Sequence, residues 1–284
     1  MVSQSVSHAE RTAEWYDVHV DRPDSLADYV DALQERGRYT FSRDEALAAL
    51  GSTPIALKRA AERLKAKRRL AAPRRGFYTI VPLEYRQSGS LPASSFIDQL
   101  MRYHDVPYYV GLLSAAEVHG AAHQRPQEFQ VVASKQLRPV AVGRNRIRFF
   151  LKKDLDDSAV QLVKNGSGQM RVSTPETTAL DLVCFQDRVG GLNHVATVLA
   201  ELAEKINPAK LVGAAERMAE VAPVQRLGFL LDLVGRETVA EKLSKWVDRR
   251  DPKTVLLAPG ADSATLRNSR WRVAVNEKVE PDEL

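Results

Sequence analysis

Three aspartates in one short charged stretch are the first candidates for catalysis. Asp154, Asp156 and Asp157 carry carboxylates of the kind that hold the divalent metal ion of a nuclease. Carboxylates this close together in one loop are more often turned toward solvent, and that is the role we expect. The sequence contains no phosphate-binding glycine loop, no nucleophile elbow and no HExxH motif. It therefore predicts no catalytic residue, no cofactor and no metal site.

Two histidines and the single cysteine are the other reactive side chains. His119 and His123 have the four-residue spacing of a metal pair on a helix, but Gly120 between them indicates that the helix ends there. No cysteine and no third histidine lies nearby in the sequence, so we expect both to have structural roles. Cys184 shares an apolar helix face with Leu180 and is predicted to belong to the core.

Basic residues are unevenly distributed along the chain. The net charge of the 284 residues is +5, but residues 1–35 carry −6, residues 36–86 carry +9, residues 87–153 carry +5 and residues 154–284 carry −3. A local charge of +9 within about fifty residues favours a polyanionic partner. A single cysteine fits a reducing compartment, and no apolar run approaches the roughly 20 residues that span a bilayer. The N-terminus also lacks the apolar core of a signal peptide, so we expect a cytoplasmic protein.

The first basic block has the helix signals of a DNA-binding domain. Ser42 with Glu45 predicts a capping box, and Thr53 followed by Pro54 predicts another helix start. Three helices and a β-hairpin are predicted, over residues 25–37, 42–51, 53–67 and 70–81. This order is that of a winged helix-turn-helix, which we place at residues 25–86, after an acidic leader at residues 1–24.

The third predicted helix separates apolar from basic side chains. At about 100° per residue, Leu57, Ala61 and Leu64 share one face, while Arg59 lies opposite them with Lys58 and Arg63 on its flanks. A recognition helix needs this arrangement, because its outward Arg and Lys reach phosphates and guanine edges. The predicted DNA-binding residues of the helices and the wing are Ser42, Arg43, Thr53, Ile55, Lys58, Arg59, Glu62, Arg63, Lys67, Arg68, Arg69, Arg74 and Arg75. The alternative is a small helical domain with a basic face and no ligand.

Residues 87–94 have the composition of a linker, and residues 95–284 are predicted to form a larger mixed domain. Helices are expected at residues 95–103 and 108–119, then strands at 127–133, 144–152, 161–164 and 170–173. Five helices follow, at 176–186, 191–205, 208–221, 223–234 and 237–247, with late strands at 254–257 and 270–275. The fold class is thus α+β, with a winged helix, a small sheet and a helical C-terminal half. We also expect residues 1–90 to fold alone.

A second basic stretch lies in this larger domain. Residues 135–153 hold seven basic side chains and no acidic one: Lys135, Arg138, Arg144, Arg146, Arg148, Lys152 and Lys153. Alternation in a strand would place Arg144, Arg146 and Arg148 on one face. Two interpretations stay open: a second nucleic-acid or toxin-related surface, or a solvated sheet face balanced by Asp154, Asp156 and Asp157.

Several segments resemble one known family. They are the Tyr108-Tyr109-Val110-Gly111-Leu112-Leu113-Ser114-Ala115-Ala116-Glu117-Val118-His119-Gly120 segment, Gln130-Val131-Val132, Arg146-Ile147-Arg148-Phe149, Ser173-Thr174-Pro175-Glu176-Thr177-Thr178-Ala179-Leu180-Asp181-Leu182, and the wing Arg75-Gly76-Phe77-Tyr78-Thr79. In this order, after a winged helix, they resemble the AbiEi family of antitoxins over residues 25–235.

The resemblance implies an antitoxin that is functionally paired with a nucleotidyltransferase-like toxin. It implies binding of double-stranded DNA at inverted repeats in the protein's own promoter, and a second domain that counters the toxin, usually without a stable complex. Two other functions stay open: a metal-dependent nuclease guided by the winged helix, and a regulator whose second domain senses a metabolite.

Overall fold

The N-terminal helices begin where the capping residues predict. The computed structural model describes residues 23–121, 126–155, 159–260 and 266–281, so most of the acidic leader lies outside the described residues. Three helices come first: α1 (Leu26–Glu35), α2 (Arg43–Leu50) and α3 (Pro54–Ala66). The Ser42 hydroxyl accepts a hydrogen bond from the Glu45 amide at 3.1 Å, and the Thr53 hydroxyl accepts one from the Ala56 amide at 3.2 Å. Each hydroxyl thus satisfies a backbone donor that would otherwise lack a partner.

A three-stranded sheet completes the winged helix. Strands β1 (Thr40–Ser42), β2 (Leu70–Arg74) and β3 (Phe77–Ile80) pair antiparallel in the order β1–β3–β2, with the wing turn between β2 and β3. Leu57, Ala61 and Leu64 of α3 are buried against α1, as their spacing predicts. The burial of this face leaves the opposite face of α3 to solvent.

The winged helix shares part of its core with the second domain. Ala71, Phe77 and Val81 belong to the same buried cluster as Leu91 and Phe96. An isolated fragment of residues 1–90 would lack Leu91 and Phe96 and would expose Ala71, Phe77 and Val81 to water, which argues against the expectation that it folds alone.

The segment predicted as a linker is packed against the second domain. A short 3-10 helix (Leu83–Tyr85) precedes it. The Ser88 carbonyl accepts a hydrogen bond from the Arg144 amide at 2.9 Å, and Asn145 donates its side-chain amide to the Leu91 carbonyl at 2.7 Å. Gly143 allows the close approach, because a Cβ there would lie 2.3 Å from the Ser88 carbonyl oxygen.

A six-stranded mixed sheet organises the second domain, in the order β6–β7–β5–β4–β9–β8. Its strands are β4 (Tyr108–Val110), β5 (Phe129–Ala133), β6 (Val140–Val142), β7 (Asn145–Leu151), β8 (Val160–Asn165) and β9 (Gly168–Ser173). Pairs β4–β9 and β5–β7 are parallel, and the other neighbours are antiparallel. Helix α4 (Ala93–His104) packs on one face of this sheet with Ile147 and Phe149, whereas Phe150 faces the helical half.

One predicted helix is wrong. Residues 108–119 form β4, a break at Gly111 and a shorter helix α5 (Leu112–Val118). Tyr108, Tyr109 and Val110 are all buried, because β4 lies inside the sheet and is covered on both faces. A strand buried on both sides has no polar alternation, so its pattern can be mistaken for a helix. Strand β6 was not predicted.

The remaining helices form a second apolar cluster with the other face of the six-stranded sheet. They are α6 (Pro175–Cys184), α7 (Gly191–Leu202), α8 (Pro208–Glu216), α9 (Ala222–Leu233) and α10 (Glu237–Arg250), with short 3-10 helices at Gln186–Arg188 and Ala203–Lys205. A small sheet of β10 (Val255–Leu256), β12 (Val273–Val275) and β11 (Leu266–Asn268) packs beside them; β11 was not predicted.

The architecture confirms the predicted α+β fold class. A winged helix-turn-helix is followed by a larger mixed domain with a sheet and a helical C-terminal half. Within the part of the chain that the structure describes, no helix is both long and apolar enough to cross a membrane.

Candidate nucleic-acid interface

The outward face of α3 is exposed and mostly basic. Lys58, Arg59 and Arg63 are exposed, and none of the three forms an ion pair with another described residue. Glu62 on the same face pairs with Lys65, whose Nζ lies 2.8 Å from the Glu62 carboxylate. The hydrogen bond and the charge of Lys65 lower the pKa of Glu62 below its usual value. Free cationic groups on this face are available to phosphates or base edges.

A groove of about 930 Å³ lies between α3 and the wing. Its lining includes seven basic side chains and one acidic side chain: Arg43, Lys58, Arg59, Arg63, Lys65, Arg74, Arg75 and Glu62. Lys65 was not predicted, because it lies on the flank of the helix rather than opposite the core. This excess of positive charge in a concave surface suits a polyanion.

An apolar side chain lies at the start of α3. Ile55, in the first turn of α3, is 68% exposed and lines the groove together with Pro54. The first turn of a recognition helix is the part that approaches base edges in the major groove. Ile55 therefore offers an apolar contact where the surrounding residues offer charge.

The other predicted residues of the helices divide into exposed groups and groups with structural partners. Ser42 and Thr53 use their hydroxyls in the helix caps described above. Lys67 and Arg68 are exposed just beyond α3, and Arg43 is exposed beside Asp44 at 3.4 Å.

Arg69 and Arg74 have partners within the protein. Arg69 forms an ion pair with Asp31 of α1. Arg74, at the end of β2, donates one Nη to the carbonyl of Arg138 and the other to the carbonyl of Pro139 at 3.4 Å. Burial, and then the charge of Arg138, lower the pKa of Arg74. Arg75 is the wing-tip residue that remains exposed.

The second basic stretch is not one continuous face. Arg144 precedes β7, so the arginines that share a face of the strand are Arg146 and Arg148. Arg148 lies 3.3 Å from the carboxylate of Glu128, while Arg146 is exposed and donates to carbonyls of its own turn. Lys135, Arg138 and Lys153 are also exposed. The expected partner Asp154 is described, whereas Asp156 and Asp157 lie outside the described residues.

Lys152 is half-buried, and its ammonium group points toward buried partners. Its Nζ lies 2.8 Å from the buried Asp181 carboxylate and 3.3 Å from the Tyr109 hydroxyl. Tyr109 donates its hydroxyl to the other Asp181 oxygen at 2.7 Å. Burial, followed by the charge of Asp181, raises the pKa of Tyr109 far above its usual range.

The candidate metal and core residues have ordinary positions. The ring Nε2 of His119 donates to the Ser173 carbonyl at 2.8 Å, and His123 lies outside the described residues. Cys184, the last residue of α6, is exposed rather than buried in the core as predicted. No group of three or more His, Cys, Asp or Glu that could hold a metal occurs among the described residues.

Comparisons with known proteins agree with this architecture. A solved structure titled "Crystal structure of RV2827C protein from Mycobacterium tuberculosis" is similar with a TM-score of 0.63 and 14% identity, covering 86% of this chain and 89% of that chain. At that identity the likeness shows the fold alone. No curated protein matches the chain. Residues 109–233 match the model of the AbiEi antitoxin C-terminal domain. This match confirms, for residues 109–233, the family resemblance that the sequence showed.

Proposed function

We propose that this protein is the DNA-binding antitoxin of a toxin–antitoxin operon and represses that operon. The observation that carries the proposal is the basic groove between α3 and the wing, on the same chain as an AbiEi antitoxin C-terminal domain. A concave surface with seven basic side chains and one acidic side chain would be costly in self-repulsion without an anion opposite it. Double-stranded DNA is the anion that a winged helix fits.

Each exposed basic residue has a distinct role in this proposal. Arg59, at the centre of the outward face of α3, reads a guanine edge in the major groove, while Lys58 and Arg63 contact flanking phosphates. Lys67 and Arg68, beyond the end of the helix, contact the DNA backbone. Arg75 extends this contact from the wing tip. Arg74 has a different role, because its guanidinium is bound to the second domain.

The second domain would serve to counter the toxin. As the family resemblance implies, that toxin is nucleotidyltransferase-like. We place the antitoxin itself in the cytoplasm. The protein would act without catalysis of its own. Growth rescue would test this half: the full chain should restore growth of cells that express the toxin encoded beside it. Failure to rescue would contradict the antitoxin role and leave the DNA-binding role to a separate test.

The exposed part of the second basic stretch would add contacts to flanking DNA. Arg138 lies beside the wing through its carbonyl bond to Arg74, and Arg144 and Arg146 follow on the adjoining hairpin. Each phosphate contact adds about 0.9 to the slope of log affinity against log salt. Changing Arg138, Arg144 and Arg146 to Gln should lower that slope by about two to three. An unchanged slope would assign these residues to another role.

DNA binding by the full chain is the primary test. Fluorescence anisotropy should show tighter binding to the DNA upstream of the protein's own gene than to a scrambled duplex of equal length and composition. A repressor needs at least about a 1000-fold preference at physiological salt. Equal affinities for the two duplexes would contradict the proposed function.

A further inference from the structure

A tyrosine of the second domain contacts the tip of the wing. Tyr103, in the last turn of α4, donates its hydroxyl to the carbonyl oxygen of Arg75 at 3.1 Å. Its ring lies 5.4 Å, centroid to centroid, from the ring of Phe77, the first residue of β3. Tyr103 therefore contacts both the backbone of the wing turn and an apolar side chain beside it.

The wing turn is shaped to accept this hydroxyl. Gly76 has a φ of +81°, and a Cβ at that position would lie 2.6 Å from the Tyr103 hydroxyl oxygen. Any other residue would strain the turn and displace the tyrosine. On the neighbouring side, Arg74 is held by the carbonyls of Arg138 and Pro139. The turn is thus held by second-domain groups on both sides of Arg75.

We infer that Tyr103 is a positioning residue for DNA binding, which directs the Arg75 side chain toward the groove by holding the Arg75–Gly76 peptide. This inference rests on the proposed function. A free two-residue wing turn would have to be ordered when DNA binds, and ordering lowers affinity. A turn already held by α4 avoids that loss. The AbiEi-containing domain would then contribute to DNA affinity without touching DNA at this point.

The experiment compares Tyr103→Phe with the wild-type full chain. The variant keeps the ring on Phe77 and removes only the hydroxyl, so it should fold. We expect affinity for the upstream DNA to fall about twofold to tenfold, the range of one net hydrogen bond. Hydrogen exchange of the amides in the wing turn should become faster. The matched control is Tyr108→Phe on β4, which removes a hydroxyl that donates to Asp98 of α4 at 2.9 Å and makes no hydrogen bond to the described residues of the wing. It should keep wild-type DNA affinity.

A double-mutant cycle shows whether Tyr103 acts through Arg75. Once Arg75→Ala has removed the side chain that is positioned, adding Tyr103→Phe should change affinity less than about twofold. Wild-type affinity in Tyr103→Phe, or affinity decreases that multiply fully in the double variant, would overturn the inference. Both results are compatible with tight binding by α3. Equal affinity of the wild-type protein for the upstream DNA and for the scrambled duplex would instead contradict the proposed function.

Discussion

The ammonium group of Lys152 lies 2.8 Å from the carboxylate of Asp181, which is fully buried. The pair joins the segment after β7 to α6, and the Tyr109 hydroxyl from β4 closes the cluster at 2.7 Å from the same carboxylate. Lys152 lies in a basic stretch of the sequence that could form a surface patch. Its ammonium group instead helps to connect the sheet with the helices.

Lys152→Gln should destabilise the fold rather than weaken DNA binding. Removing the cation leaves the Asp181 carboxylate buried with one hydroxyl partner, and we expect a decrease of about 2–4 kcal/mol in the free energy of unfolding. Urea denaturation measures it. The matched control is Arg146→Gln, an exposed position on β7 that should change stability by less than about 0.5 kcal/mol. Unchanged stability in Lys152→Gln, with a lower salt slope for DNA binding, would return the residue to the surface patch.

Stability should fall as the pH falls below about 7, partly because of His119. Burial lowers the pKa of His119 from its ordinary value of 6.5, and its Nε2–H donates to Ser173 in the neutral form. Below that value the unfolded chain binds a proton that the folded chain resists, so stability is lost as the pH approaches the folded pKa. His104, whose pKa is lowered by burial and then by Arg74, acts in the same direction.

The measurement for His119 is the change in unfolding free energy between pH 7 and pH 5. His119→Gln keeps a donor for Ser173 and cannot titrate, so its pH dependence should be shallower than that of the wild type. The slopes of unfolding free energy against pH should differ between the two proteins by less than about 1.4 kcal/mol per pH unit, the limit for one proton. Identical pH profiles for the two proteins would show that His119 titrates normally.

Ile55 should contact the 5-methyl group of a thymine. It is 68% exposed at the start of α3, where base edges are read, and a thymine methyl is the apolar group that the major groove presents. Replacing all thymines of the upstream duplex by uracil should weaken wild-type binding by about 1 kcal/mol for each thymine methyl group that Ile55 covers. The same replacement should weaken binding by Ile55→Ala much less. The control is Leu83→Ala, which changes an exposed leucine beyond the wing. It should respond to uracil as the wild type does, and an equal response from Ile55→Ala would contradict the proposed methyl contact.

Local signals in the sequence predict the helix starts well. Ser42, Thr53 and Thr174 each precede a helix, and each side chain accepts the capping hydrogen bond that its position predicts. The inward face of α3 follows from spacing alone. By contrast, β4 has no periodic signature, because it is buried on both faces.

Partners that are distant in the sequence could not be predicted. Arg69 contacts a residue 38 positions away, and Arg74 contacts one 64 positions away. Composition places both arginines in a basic block, but only the folded chain shows that α1 and the second domain bind them. The same limit applies to Lys152 and Asp181.

Arg59→Ala on the protein's own upstream DNA tests the central claim most directly. Arg59 lines the groove, faces away from the α3 core, and has no ion-pair partner among the described residues. We expect specific binding to weaken by roughly 1–3 kcal/mol, with relaxed discrimination at one base position. Lys67→Ala should weaken specific and scrambled duplexes alike. Anisotropy titrations in which Arg59→Ala binds the upstream DNA with wild-type affinity would contradict the assignment of this face to DNA.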